Sequence, residues 1–148
     1  MTVLNHSYDE ALKRFLTSAP RYRVAVLKVD SSTHEKNALN IGRALAEVIK
    51  PMDRKNDMVF QFSVQEAVFK TIKDHTKADP ELGDIVILEN LGILFESELH
   101  VDITDVLRKV SRNTLVVLLW PGEIGKDQLS FYSPKYCIKQ SEINYIIL

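Results

Sequence analysis

Apolar residues along this chain follow two spacings, and the alternation between them lays out the elements. Ala11, Leu12, Phe15 and Leu16 recur with a helical period over Tyr8 to Thr17, and Ser18-Ala19-Pro20 ends the run. Tyr22 to Val29 is rich in β-branched residues with no dense charge, as a strand buried on both faces requires. Helical spacing returns at Ala38, Leu39, Ile41, Leu45, Ala46 and Ile49, closed by Pro51. MVFQF, Met58 to Phe62, reads as a short strand. Ser63 followed by Glu66 reads as a capping box opening a helix through Val64, Val68, Phe69 and Ile72.

The second half repeats the scheme. A turn over Ala78 to Gly83 leads into the apolar strand DIVILENLG. Asp102 caps a helix over Ile103 to Val110, and LVVLLW is a third long apolar strand, stopped by Pro121-Gly122. Gln128 to Ser133 and Glu142 to Leu148 read as two shorter strands, antiparallel at the sheet edge. Alternation of this kind predicts an α/β fold, a mostly parallel sheet with helices on both faces. Ligands of such sheets sit at the carboxyl ends of the strands, which places the loop after Val29 and the residues after Leu88 at one edge.

Composition narrows the function classes. The 148 residues fit one domain spanning 1–148 with a single core. Nineteen basic against 20 acidic side chains argue against a chain whose main task is gripping DNA phosphates. Cys137 is the one cysteine, so neither an internal disulfide nor a cysteine metal cluster is expected, and the four histidines show no ligand spacing. The N-terminus lacks a signal-peptide core and no run reaches the length of a membrane span, which points to the cytoplasm.

The loop after the first strand carries the candidate chemistry. A phosphate loop follows G-x-x-x-x-G-K-[ST], with backbone amides around the β-phosphate, the lysine on the terminal phosphates and the hydroxyl on magnesium. Laid on Asp30-Ser-Ser-Thr-His-Glu-Lys-Asn37, the pattern keeps only Lys36. Asp30 and Glu35 occupy the glycine positions, and Asn37 replaces the hydroxyl. A side chain where φ is positive costs about 1–2 kcal/mol, less for Asp. Charge weighs more: a carboxylate ~4 Å from a phosphate opposes it by about 4 kcal/mol at an effective dielectric near 20. Lys36 offsets one such term, not two. On these residues alone the stretch is either an ordinary strand–loop–helix connection or a decayed nucleotide site.

Phosphate-loop enzymes also place an acid at the end of a neighbouring apolar strand, to hold magnesium or polarise water. Glu89, followed by Asn90, has that position in the order of elements; it also suits a buried strand simply ending at solvent. Beyond it lie Glu89-Asn90, Leu94-Phe95, Glu98-Leu99, Ser111-Arg112-Asn113, Trp120-Pro121-Gly122 and Gln128-Leu-Ser-Phe-Tyr-Ser133. In that order these elements resemble the BrxF proteins, small P-loop proteins of BREX bacterial phage-defence systems. The resemblance is strong from about Ile85 to Ser133 and loose before it.

The resemblance implies a three-layer P-loop NTPase-like fold and an accessory role in anti-phage defence. The implied partners are the large ATPase, DNA methyltransferase and phosphatase-like components of such a system. Relatives carry a glycine-rich loop where this chain has DSSTHEKN. The expectation is therefore a protein-binding module with no cofactor and a vestigial nucleotide site at Lys36, Asn37, Glu89, Asn90 and Arg112. The alternative is an ATPase using ATP with magnesium, activated by partner proteins or DNA. Arg112 reads either as a sensor of the terminal phosphate or as a helix C-terminal charge. Trp120 reads either as a partner contact or as core.

Overall fold

The structure, a computed structural model, describes residues 6–30, 37–133 and 135–148. Helix α1 (His6–Thr17) precedes strand β1 (Val24–Lys28), followed by β2 (Leu39–Asn40), α2 (Ile41–Ile49) and α3 (Asp57–Asp74). Next come β3 (Lys77–Asp79), β4 (Gly83–Glu89), a 3₁₀ turn (Leu91–Phe95), α4 (Ile103–Ser111) and β5 (Leu115–Trp120). Short strands β6 (Glu123–Ile124), β7 (Gln128–Ser130), β8 (Cys137–Lys139) and β9 (Ile146–Ile147) complete the chain.

The main sheet runs β2-β4-β5-β1-β9, every pair parallel, with β3 antiparallel on the outer side of β4. All six residues of β5 are buried, as a central parallel strand requires. Alternate residues divide between the two faces. Val24, Val26, Val86, Leu88, Val116 and Leu118 face the core shared with α2, α3 and α4. Ala25, Ile85, Ile87, Leu115, Val117 and Leu119 face Leu12 and the half-buried Tyr8, Phe15 and Leu16 of α1. One face thus carries three helices and the other, among the described residues, a single one.

Three expectations from the sequence need correction. MVFQF is not a strand. Asn56 caps a helix seven residues ahead of Ser63, its side chain accepting from the Val59 amide, and Met58–Phe62 form that helix's first turns. The core stripe Phe60, Val64, Ala67, Val68, Thr71, Ile72 has helical spacing throughout, so the five-residue alternation yields to the longer period. The helix expected from Ala38 starts at Ile41, because Leu39 and Asn40 first pair with Leu88 and Glu89 of β4. The last two strands do not pair with each other. Gln128–Ser130 belongs to a separate antiparallel sheet, β6-β7-β8, while Ile146–Ile147 adds a parallel edge strand to β1.

Candidate functional site

The carboxyl edge of the sheet is where a ligand of this architecture would bind. β1 ends there, and its pairing with β5 extends to Val29, whose amide donates to the Trp120 carbonyl. Lys28 turns its ammonium onto the Pro121 and Gly122 carbonyls, 3.0 Å from the former. Lys36 and Glu35 lie outside the described residues. Asn37 already borders the outer side of β4, beside Leu39 and Lys77. β5 and β4 both lie between β1 and β2, so the two strands stand about 14 Å apart at ~4.8 Å per strand.

That displacement matters for phosphate chemistry. A phosphate loop works because a helix N-terminus opens directly from it, adding amides and a partial positive charge. Among the described residues the next N-terminus is that of α2, beyond β4, and its cap is Asn40, whose side chain accepts from the Arg43 amide. The same Asn40 oxygen accepts from Asn90 Nδ2 at 2.8 Å. Asn90 itself is left-handed (φ 57°, ψ 56°), a conformation asparagine tolerates better than most residues, and it turns the chain from β4 into the 3₁₀ turn. Gly42 is a consequence: a Cβ there would lie 2.4 Å from Asn90 Nδ2.

Glu89 ends β4 opposite Asn40, half-buried, with its carboxylate unpaired among the described residues. The structure therefore brings Glu89, Asn90 and the chain just after Asn37 together around the α2 N-terminus, and not around β1.

Arg112 is elsewhere. It caps the C-terminus of α4 and precedes β5, so it stands at the amino edge of the sheet. Six residues of β5 at ~3.3 Å each put about 20 Å between that edge and Glu89's. Arg112 joins Arg21, Arg108 and Lys109 around a cavity of about 620 Å³, with Asp105 and Glu142. Sensing a phosphate at the carboxyl edge is ruled out by strand direction, since a residue that leads into a parallel strand begins at the opposite edge.

Trp120 is not a partner contact. It is 0% exposed, and its indole nitrogen donates to the Glu123 and Ser130 carbonyls, both at 3.2 Å. Phe95 meets it edge-on at 6.0 Å, and Phe131 stacks on Phe95 at 5.0 Å while meeting Trp120 at 5.6 Å. Pro121 ends the strand and Gly122 lies against β7, where a Cβ would come 2.0 Å from the Ser130 carbonyl oxygen. The Trp-Pro-Gly step is thus the seam joining the small sheet to the carboxyl end of β5.

Sequence reasoning missed two features. Asn40 is the hub of the Glu89-Asn90 corner, and nothing in its neighbourhood marks it. Met58, Val59 and Phe62 are exposed on α3, and Asn56 three residues before Val59 was the available signal that they begin a helix. Among the described residues no group of three His, Cys, Asp or Glu is placed to hold a metal, and no helix is long and apolar enough to cross a membrane. No family model, curated protein or solved structure matches the chain.

Proposed function

We propose that this protein is an accessory, protein-binding subunit of a BREX-type anti-phage defence system, built on a P-loop-like sheet that no longer serves a nucleotide. The BrxF-like motifs from Glu89-Asn90 to Trp120-Pro121-Gly122 support the family, and the parallel order β2-β4-β5-β1-β9 supports the architecture. In that order one strand, β5, separates the loop-bearing strand from the strand ending in an acid, leaving room of about 10 Å at ~4.8 Å per strand.

One observation carries the non-enzymatic reading. The first helix after the candidate loop begins beyond β4, with its N-terminus capped by Asn40 and tied to Asn90, so it is not available to a phosphate at β1. That placement supports a reading without ATP and magnesium, the alternative being an ATPase that uses both. The partners of this reading are the large ATPase, the DNA methyltransferase and the phosphatase-like component of the system.

Titration calorimetry of the purified protein with ATP and magnesium is the test. No heat of binding is expected. Micromolar affinity abolished by Lys36→Ala would reinstate the ATPase. Co-purification with the three candidate partners tests the other half, and failure to retain any of them removes the accessory role.

A further inference from the structure

Helix α3 turns three large apolar side chains to solvent within two turns: Met58 is 82%, Val59 58% and Phe62 67% exposed. The helix is not short of a core face, since Phe60, Val64, Ala67, Val68, Thr71 and Ile72 are buried on its other side. Isolated exposed hydrophobics are ordinary; three adjoining ones form the kind of patch that marks a contact site. Val48 of α2 is exposed as well, and it lines a groove of about 670 Å³ between the two helices, with Ala44, Ser63 and Ala67.

The flanks carry opposite charges. Lys55 stands just before the Asn56 cap, and Glu66 lies one turn beyond Phe62. The ammonium of Lys55 and the carboxylate of Glu66 have no ion-pair partner within the described chain; Lys55 donates only its backbone amide, to Asp53.

We infer that this patch binds a second copy of the same chain, through antiparallel packing of the two α3 helices about a two-fold axis between Val59 and Phe62. Under that axis, residues equally far from the centre face each other. Val59 of one copy then meets Phe62 of the other, and Lys55 meets the second copy's Glu66, once at each end. A parallel pair would set like charges together. The sequence is thus complementary to itself in one orientation, a relation that contact with an unrelated protein does not require. One helix pair buries less than the ~800 Å² per partner of a standard interface, so the dimer is weak and concentration-dependent. This inference is independent of the defence reading.

Sedimentation velocity over a concentration series up to about 1 mM reads the outcome directly. Reversible dimerisation is expected. Phe62→Asp should abolish it, and Lys55→Glu or Glu66→Lys should each weaken it by about tenfold. The doubly reversed Lys55→Glu/Glu66→Lys protein should dimerise like the parent. All three substituted residues are exposed, and unchanged circular dichroism certifies the fold. A monomer at every concentration, a dimer indifferent to Phe62→Asp, or a double variant as weak as the singles would overturn the inference. So would a monomer that binds a defence component through Phe62, which would assign the patch to that protein while leaving the defence reading standing.

Discussion

The two edges of the sheet are built by different means. At the carboxyl edge, fit dominates: Trp120 is enclosed by Phe95 and Phe131, Gly122 is pressed on the Ser130 carbonyl, and Asn90 is wedged between Asn40 and Gly42. At the amino edge, long charged side chains lie over an open cavity and bond mainly to carbonyls. Arg23 reaches Asn113, Arg108 reaches Glu142 with two nitrogens, and Lys109 pairs with Asp105. In most parallel sheets the carboxyl edge is left to loops that can grip a ligand. Here the described part of that edge is spent on fixing its own corners, while Arg21, Arg108, Lys109 and Arg112 gather at the other end.

If that contrast is right, substitutions at the carboxyl edge should cost folding and those at the amino edge should cost little. Trp120→Ala gives the largest expected effect. It removes a fully buried indole and two hydrogen bonds, a loss of about 3–5 kcal/mol for an aromatic truncated in a core. Urea denaturation measures it. A loss below about 1 kcal/mol would mean that the aromatic seam does not hold the edge.

Gly42→Ala comes next. The new methyl would meet Asn90 Nδ2 and backbone, for an overpacking cost of about 1–3 kcal/mol. Asn90→Gly keeps the left-handed turn and removes the obstructing side-chain amide, at the cost of the bond to Asn40. The double variant should recover part of the loss caused by Gly42→Ala, since the Asn90 carbonyl oxygen, 2.9 Å from the new methyl, remains, and a double-mutant cycle reads that coupling. Additive effects would show that Asn90 and Gly42 are not wedged together.

How much of this was legible beforehand follows from the range of the interactions. The three apolar strands and the Asp102-capped helix α4 stand out because their signals lie within one element. The Asp102 side chain does accept from the Asp105 amide at 3.0 Å. Strand β2 has two residues and no period to read, so the Leu39–Asn40 step was absorbed into the following helix. The burial of Trp120 depends on Phe95 and Phe131, which adjoin it only after the chain has folded back twice. Arg112 was different: its edge follows from chain direction alone, since it leads into β5. The crossing from β1 to the far side of β4 was hidden because βαβ alternation normally puts a helix directly after the first strand.

At the amino edge, Arg108→Met keeps most of the apolar stem and removes two hydrogen bonds to the Glu142 carbonyl. A loss of about 1 kcal/mol is expected, well under that of Trp120→Ala. Arg112→Ala should lie within about 0.5 kcal/mol of the parent, because the exposed guanidinium bonds nothing in the described chain. A loss from Arg112→Ala as large as that from Gly42→Ala would erase the contrast between the edges.

The smallest effect concerns pH. Tyr145 leads into β9 at the same amino edge, and its buried hydroxyl finds no hydrogen-bond partner. Burial raises its pKa above the usual tyrosine value, and the nearby Asp127 charge adds to the shift. Both disfavour the phenolate, so the folded state holds this proton more tightly than the unfolded chain does. The resulting stability is complete below the unfolded pKa near 10 and declines as pH rises through the folded value. Tyr145→Phe should leave stability at pH 7 unchanged or slightly raised, since it deletes an unsatisfied polar atom. It should also flatten the alkaline side of the stability–pH curve relative to the parent. An unchanged alkaline slope would mean that the hydroxyl reaches water, and that this corner of the amino edge is more open than its packing indicates.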